Sequence, residues 1–299
     1  MTITDIRHVA VAASADDVFA TAAFEQRVSV WSLPARSLVA ELETILDFGG
    51  QRLALCGSET PLVVAGAWGR HGIRAYGVDG RELWQRKDLR QPQQISAAAR
   101  GALAVVCFDD RSMHVLAAES GDTVAKVRGA RRFYDSPFAA KGLVEMYGHV
   151  GLVDTDRWQL CWRAPVEGFA ILSAAAAPDS FAVADVVHLV ADRRSSVSCL
   201  DLGGGVLWRW TAPPQVNCPA LAWDAERAEW AGLLNDVTNE RPDTLVRWSR
   251  DGEVVFEHPL ALYHVAEFMR TGRYFVTSEG EVRDSRDGTV VWQFGGPSG

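Results

Sequence analysis

A chain of 299 residues with 48% hydrophobic and 23% charged residues can bury a large core and is too apolar to be disordered. A formal net charge of −8 argues against nucleic acid or anionic lipid as a partner. No stretch approaches the ~20 apolar residues of a membrane helix, and no basic start precedes the short apolar run 9–13, so a cytoplasmic protein is expected.

In chain order the predicted elements are short strands, with no sustained helical period. Residues 28–31 and 38–42 form a first hairpin around 34–37. Runs 53–56 and 62–67 then precede the strand 73–79, Gly80 and Trp84. Runs 95–98 and 103–108 precede 120–127, which keeps the turn and lacks the aromatic. The segment 155–162 places Trp162 at the equivalent position. Runs 170–175 and 181–187 precede Gly204 and Trp208. The strand 245–251 leads to Gly252 and Phe256. Finally 265–269 and 274–277 precede 282–287, Gly288 and Trp292. Asp-Gly between two strands asks for a type I′ turn, so each unit is expected to end in a two-residue hairpin whose second strand carries the aromatic.

The aromatic positions or their equivalents fall near 42, 84, 125, 162, 208, 256 and 292, about 36 to 48 residues apart. A four-stranded propeller blade repeats every ~40–45 residues. The expected fold class is therefore all-β: a seven-bladed β-propeller of four-stranded antiparallel blades. It would form one domain over 1–299, with blades near 7–43, 45–88, 93–128, 131–164, 168–212, 219–260 and 264–295. Closure of such a ring removes exposed sheet edges. Residues 2–6 would be an added strand or a tail.

The strand–Asp-Gly–strand unit with Trp four residues after the glycine resembles the repeat of quinoprotein (PQQ-type) propellers, and the 28–31 hairpin resembles a WD40 unit. The resemblance spans the chain and is architectural. It implies that each repeated aromatic packs between neighbouring blades instead of binding a ligand. Quinoprotein enzymes are larger, eight-bladed, exported and carry a vicinal disulfide. None of that is written here, so no cofactor is expected.

Chemistry is sparse. The five cysteines are scattered and odd in number, which excludes a disulfide framework or a CxxC pair. Four lie in apolar runs and read as small buried hydrophobes, whereas Cys218 falls in a Pro-rich connection. There is no GxSxG elbow, and the 203–205 glycines lie in a hairpin, so they cannot cradle phosphate at a helix start. His71, His149 and His264, with Asp109 and Asp110, sit on loops of different blades, and no HxH or HExxH motif occurs. No metal is expected. The alternative kept open is a lactonase-like small-molecule or metal-binding enzyme or sensor at the top of the central channel.

Loop composition separates the two faces. Connections between the first and second strands (a–b) and the third and fourth (c–d) are tight polar turns that geometry alone explains. The b–c and d–a connections, with 133–137 among the latter, collect aromatics, arginines, histidines and carboxylates. This face is the expected partner surface: Arg27, Trp68, Arg70, His71, Asp109, Asp110, Arg111, Tyr134, Asp135, His149, Arg193, Arg194, Asn235, Asp236, Arg241, Tyr263 and His264. A competing expectation has Trp68 and Phe133 plugging the channel ends. Arginine outnumbers lysine 27 to 3, as GC-rich bacterial coding would give. The leading expectation is a non-enzymatic, protein-binding module of such a bacterium, monomeric on its own. In its narrower version the module neutralises a toxin as an immunity protein.

Overall fold

Every stretch that can alternate or stay apolar for four to nine residues becomes a strand, and a turn residue ends it. In the computed structural model, residues 8–11, 18–22, 27–45, 52–56, 61–98, 101–166, 170–186, 193–238, 240–260, 267–269 and 271–294 are described. Among them are twenty-eight strands, one 3-10 turn (Gly69–His71) and no α-helix. No helix among these residues is long and apolar enough to cross a membrane. Residues 2–6, on which a further strand or tail was in question, lie outside the described set, as do the loops 14–17 and 24–26.

The strands form seven four-stranded sheets, each in simple sequence order a-b-c-d, the blades of a seven-bladed β-propeller. Blade 1 comprises His8–Val11, Val18–Ala22, Arg27–Ser32 and Ser37–Glu43. Blade 2 comprises Leu53–Cys56, Leu62–Ala67, Gly72–Gly77 and Glu82–Arg86, and blade 3 Pro92–Ala98, Ala102–Cys107, Ser112–Ala117 and Thr123–Arg128. Blade 4 runs through Arg132–Asp135, Lys141–Met146, His149–Asp154 and Gln159–Pro165. Blade 5 has Ile171–Ala176, Ser180–Val186, Ser195–Asp201 and Val206–Thr211. Blade 6 has Val216–Asp224, Glu229–Asp236, Thr244–Trp248 and Val254–Pro259. Blade 7 is shorter: Glu267–Phe268, Tyr274–Val276, Glu281–Asp284 and Val290–Gln293.

The chain divides into two compact units. Unit 1 holds residues 1–147, 153–160 and 294–299; unit 2 holds 148–152 and 161–293. Within each, strand a of one blade packs on strand a of the next, and apolar clusters fill the spaces between neighbouring sheets. Strand b is buried on both faces, as in Leu62–Ala67 and Ser180–Val186, which explains its unbroken apolar sequence. Strand d is the outer edge and alternates, as Gln159–Pro165 does. In unit 1, Phe294 packs 5.0 Å from Trp31 and 5.8 Å from Phe19 between ring centroids.

The expected inter-blade role of the repeated aromatic is present in specific form. Trp84 of blade 2 donates its indole N–H to the Ala118 carbonyl in the c–d turn of blade 3, at 2.8 Å. Trp162 does the same to Leu202 of blade 5 (2.7 Å), and Trp208 to Arg250 of blade 6 (2.8 Å). Each ring lies against the glycine of the turn it docks on. A Cβ at Gly121 would stand 2.8 Å from Trp84, and one at Gly252 2.6 Å from Trp208. These tryptophans are half-buried at the blade edge, not central core residues.

The turns themselves correct the expectation of type I′ hairpins. In blade 2 the Gly77 N–H reaches the Arg81 carbonyl and Gly80 N–H reaches Gly77, which encloses three residues instead of two. Only the glycine is left-handed, at φ 81°. This is a type I turn closed by a left-handed residue, and the ladder beyond it skips one position. The skipped residues, Leu83, Leu207 and Val255 in blades 2, 5 and 6, turn outward to solvent.

Two buried polar devices add to the apolar layers. The Gln94 amide of blade 3 donates to the Phe133 carbonyl of blade 4 (2.8 Å) and accepts the Phe133 N–H (2.7 Å), imitating a rung of sheet between adjacent blades. In blade 6, Arg247 lies 2.5 Å from Glu229 and 3.5 Å from Asp224, with Arg247 and Asp224 each only 1% exposed. At the same end, Glu226 pairs with Arg273 and Arg286 of blade 7, so the a–b/c–d side carries an internal ion network as well as turn residues.

The docking geometry makes a comparison of two turn glycines informative. Gly252→Ala meets the Trp208 ring, whereas Gly80→Ala, at similar φ, meets nothing nearer than Leu42 at 3.8 Å. Backbone strain alone is worth about 1 kcal/mol, and overpacking adds about 1–3 kcal/mol. Chemical unfolding should therefore show Gly252→Ala losing clearly more stability than Gly80→Ala; equal losses would contradict the docking role.

Candidate functional site

In blades 2, 3 and 4 strand b leaves the core at Ala67, Cys107 and Met146, and the next residue in each is a large aromatic. Trp68 is 41% exposed, Phe108 55% and Tyr147 86%. Three consecutive blades thus present an aromatic at the same position of the b–c connection, and all three residues belong to unit 1. Trp68 and Phe108 stack with centroids 6.3 Å apart and planes 29° from parallel, and the buried Arg52 guanidinium lies 5.0 Å from the Trp68 ring centroid.

Main-chain hydrogen bonds hold these connections in place. The Phe108 N–H donates to the Gln91 carbonyl at 3.1 Å, Gly129 to Arg111 at 2.7 Å, and Arg131 to Glu145 at 2.7 Å. The d–a connections of blades 2 and 3 are therefore tied to the b–c connection of blade 3 and to the end of strand b of blade 4. The result is a preformed platform on rigid sheets.

Most carboxylates at this end are already engaged. Burial alone would push the Asp110 carboxyl up, but Lys126 (2.7 Å) and His114 (2.8 Å) hold it below the usual carboxylate range. Buried Glu145 takes Arg131 at 3.4 Å and Arg132 at 3.7 Å. Asp88 pairs with Arg86 at 2.7 Å.

The expected surface residues divide as follows. In unit 1, Arg27, Trp68, Asp109, Asp110 and Arg111 are exposed at the b–c end, and His71 is half-buried with its carbonyl accepting from Gln85. The backbone of Arg70 lies in the 3-10 turn beside them. Tyr134 and Asp135 are a correction: they belong to strand a of blade 4, and Asp135 pairs with Gly142 at the opposite, a–b end. The polar, Pro-containing 133–137 resembles a loop, yet Phe133 is fully buried against Trp158 (5.8 Å) and bound by Gln94. That burial also places Phe133 in the layer between blades 3 and 4.

In unit 2, His149 is exposed at the start of strand c of blade 4, and Arg193 and Arg194 precede strand c of blade 5, half-buried. Asn235 and Asp236 end strand b of blade 6. Asp236 is committed to its own loop: burial would raise its carboxyl, but the Thr238 hydroxyl (2.7 Å), the Thr238 N–H (3.0 Å) and Arg241 (3.4 Å) keep it low. Tyr263 and His264 lie outside the described residues.

In the sequence Phe108 falls within the apolar run 103–108, and Tyr147 heads the expected b–c connection 147–149. Their signal is position, the first residue beyond strand b, and it becomes visible only once the strand ends are known. No three His, Cys, Asp or Glu side chains lie together as a metal ligand set among the described residues.

The cysteines bring two further corrections. Cys218 is in strand a of blade 6, not a loop; it is fully buried, its N–H donates to Ser195 and its carbonyl accepts from Ser173. Cys161, on the edge strand of blade 4, is exposed instead of buried.

No family model and no curated protein sequence matches the chain. Solved structures do. BamB from Moraxella catarrhalis matches with a TM-score of 0.60 at 13% identity, over 98% of this chain and 84% of that one. U3-55K matches with a TM-score of 0.66 at 12% identity, over 98% of this chain and 93% of that one. This chain has the fold of a seven-bladed β-propeller. At such identity the likeness is one of architecture, so the propeller's working residues have to be found in its own geometry.

Desolvation pushes the thiol of Cys56 from 9.0 to about 12, Cys107 to about 12 and Cys199 to about 11. Ellman's reagent should therefore find one fast thiol, Cys161, in the native propeller and five after unfolding; two or more fast thiols would contradict this burial. Because the folded values lie above the ordinary one, the unfolded chain releases these protons first. Stability should fall as pH rises past about 9.

Proposed function

We propose that this propeller is a non-enzymatic protein-binding module that holds its partner on the b–c/d–a end of blades 2 to 4. One observation carries the reading: exposed Trp68, Phe108 and Tyr147 at equivalent positions of three consecutive blades, with the Phe108 connection fixed by main-chain hydrogen bonds. Large aromatics and arginine dominate the energy of protein interfaces, and a rigid scaffold lowers the entropy lost on binding. Exposed, stacked aromatics such as Trp68 and Phe108 are otherwise an aggregation liability. Arginine-rich coding supports a GC-rich bacterial setting. Toxin neutralisation is the narrower form of the same proposal, in which the platform occludes the toxin's working surface.

The test is partner capture from the native host with purified variants. Tyr147→Ser and Phe108→Ser should each weaken capture about tenfold or more, as interface hot spots do, with unchanged melting temperature. Leu207→Ser, at an exposed blade edge of unit 2, should leave capture intact. The opposite pattern would overturn the assignment. For the toxin version, the captured protein should lose its toxicity in the complex and regain it with Tyr147→Ser.

A further inference from the structure

We infer that the platform of blades 2 to 4 docks an acidic protein segment that also carries apolar side chains, an inference that rests on the protein-binding reading of this end. Charge is segregated on this protein. The protein as a whole has a formal net charge of −8. At this end, however, Asp88, Asp110 and Glu145 are consumed by internal ion pairs. Lys87, Arg90, Arg111 and Arg128 stand exposed around the aromatics and make no ion pair among the described residues; Asp109 is the one exposed carboxylate there in the same condition. The local surface is therefore basic on an acidic molecule. Three of the four cations are arginines, whose planar forks match carboxylates in a bidentate way.

The aromatics define the rest of the partner. The Trp68 ring already has the Arg52 guanidinium over it and Phe108 stacked alongside, while Phe108 and Tyr147 project further into solvent. That arrangement suits Leu-, Phe- or Trp-sized side chains lodged among ring edges. A nucleic acid would need open ring faces for successive bases and would meet the overall −8 charge with a far denser line of phosphates. A short segment with a few carboxylates between apolar anchors satisfies both features of the platform. Its binding sites are fixed before it arrives, through the Gln91–Phe108, Arg111–Gly129 and Glu145–Arg131 main-chain bonds.

A phage-displayed library of random 16-residue peptides, panned on the full chain and counter-panned on Arg111→Glu, tests this. Enriched peptides should be rich in Asp and Glu with interspersed Leu, Phe or Trp. Their affinity, read by fluorescence anisotropy, should fall about tenfold with Arg111→Glu, Arg128→Glu or Phe108→Ser, and several-fold when salt is raised from 50 to 500 mM. The melting temperatures of these exposed-site variants serve as the folding control. Neutral or basic winners, indifference to the charge reversals, or tighter binding of a single-stranded oligouridylate would each overturn the acidic-segment inference. So would a failure to enrich any peptide while Tyr147→Ser still abolishes capture of the native partner, an outcome that leaves the protein-binding reading standing. If Tyr147→Ser spares capture as well, both fall.

Discussion

An indole seated on a glycine of the neighbouring blade is the contact on which the rest of this molecule depends. A single four-stranded blade is apolar on both faces and has no reason to fold alone; it becomes stable only when stacked on another. Apolar layers supply most of the driving force but are non-directional. The N–H of Trp84, Trp162 or Trp208, aimed at one carbonyl in the next c–d turn, adds direction, at about 0.5–1.5 kcal/mol per bond. The ring needs a turn residue without a Cβ, which is why Gly121, Gly204 and Gly252 stand where they do. The device tolerates variation. In blade 1 Leu42 takes the aromatic's place, 3.8 Å from the Cβ position of Gly80, and in blade 6 His258 and Leu260 crowd Gly288.

Because blades are registered in this way, the loops at the far end of each sheet inherit fixed positions. That is how Trp68 and Phe108, forty residues apart in sequence, come to stack. The same logic accounts for the Gln94 side chain standing in for a strand between blades 3 and 4. The platform is therefore a product of the repeat: its chemistry varies from blade to blade while its geometry does not.

Much of the fold was legible because the repeat is written in residues with strict requirements. Glycine followed four positions later by a tryptophan marks the docking unit, and unbroken apolar runs mark the buried b strands. The turn class was not legible, since Asp-Gly also fits a three-residue loop in which glycine alone is left-handed. Tyr134 and Asp135 read as loop because Ser136 and Pro137 follow them, and only the pairing of Phe133 with Val144 reveals a strand. Of the site, the b–c loops were recognisable by composition, but Phe108 was absorbed into the apolar run 103–108, where nothing local distinguishes the last buried residue from the first exposed one. Charge segregation is likewise invisible in a list of residues, because it depends on which carboxylates find cations within the fold.

The central claim is that the b–c/d–a end of blades 2 to 4 is the working surface. Hydrogen–deuterium exchange on the propeller with and without its captured partner addresses it directly. The account predicts new protection at residues 68–71, 108–111 and 147–148, with none at the c–d turns 202–205 and 249–252. Protection confined to those turns, with the b–c loops exchanging as before, would contradict it.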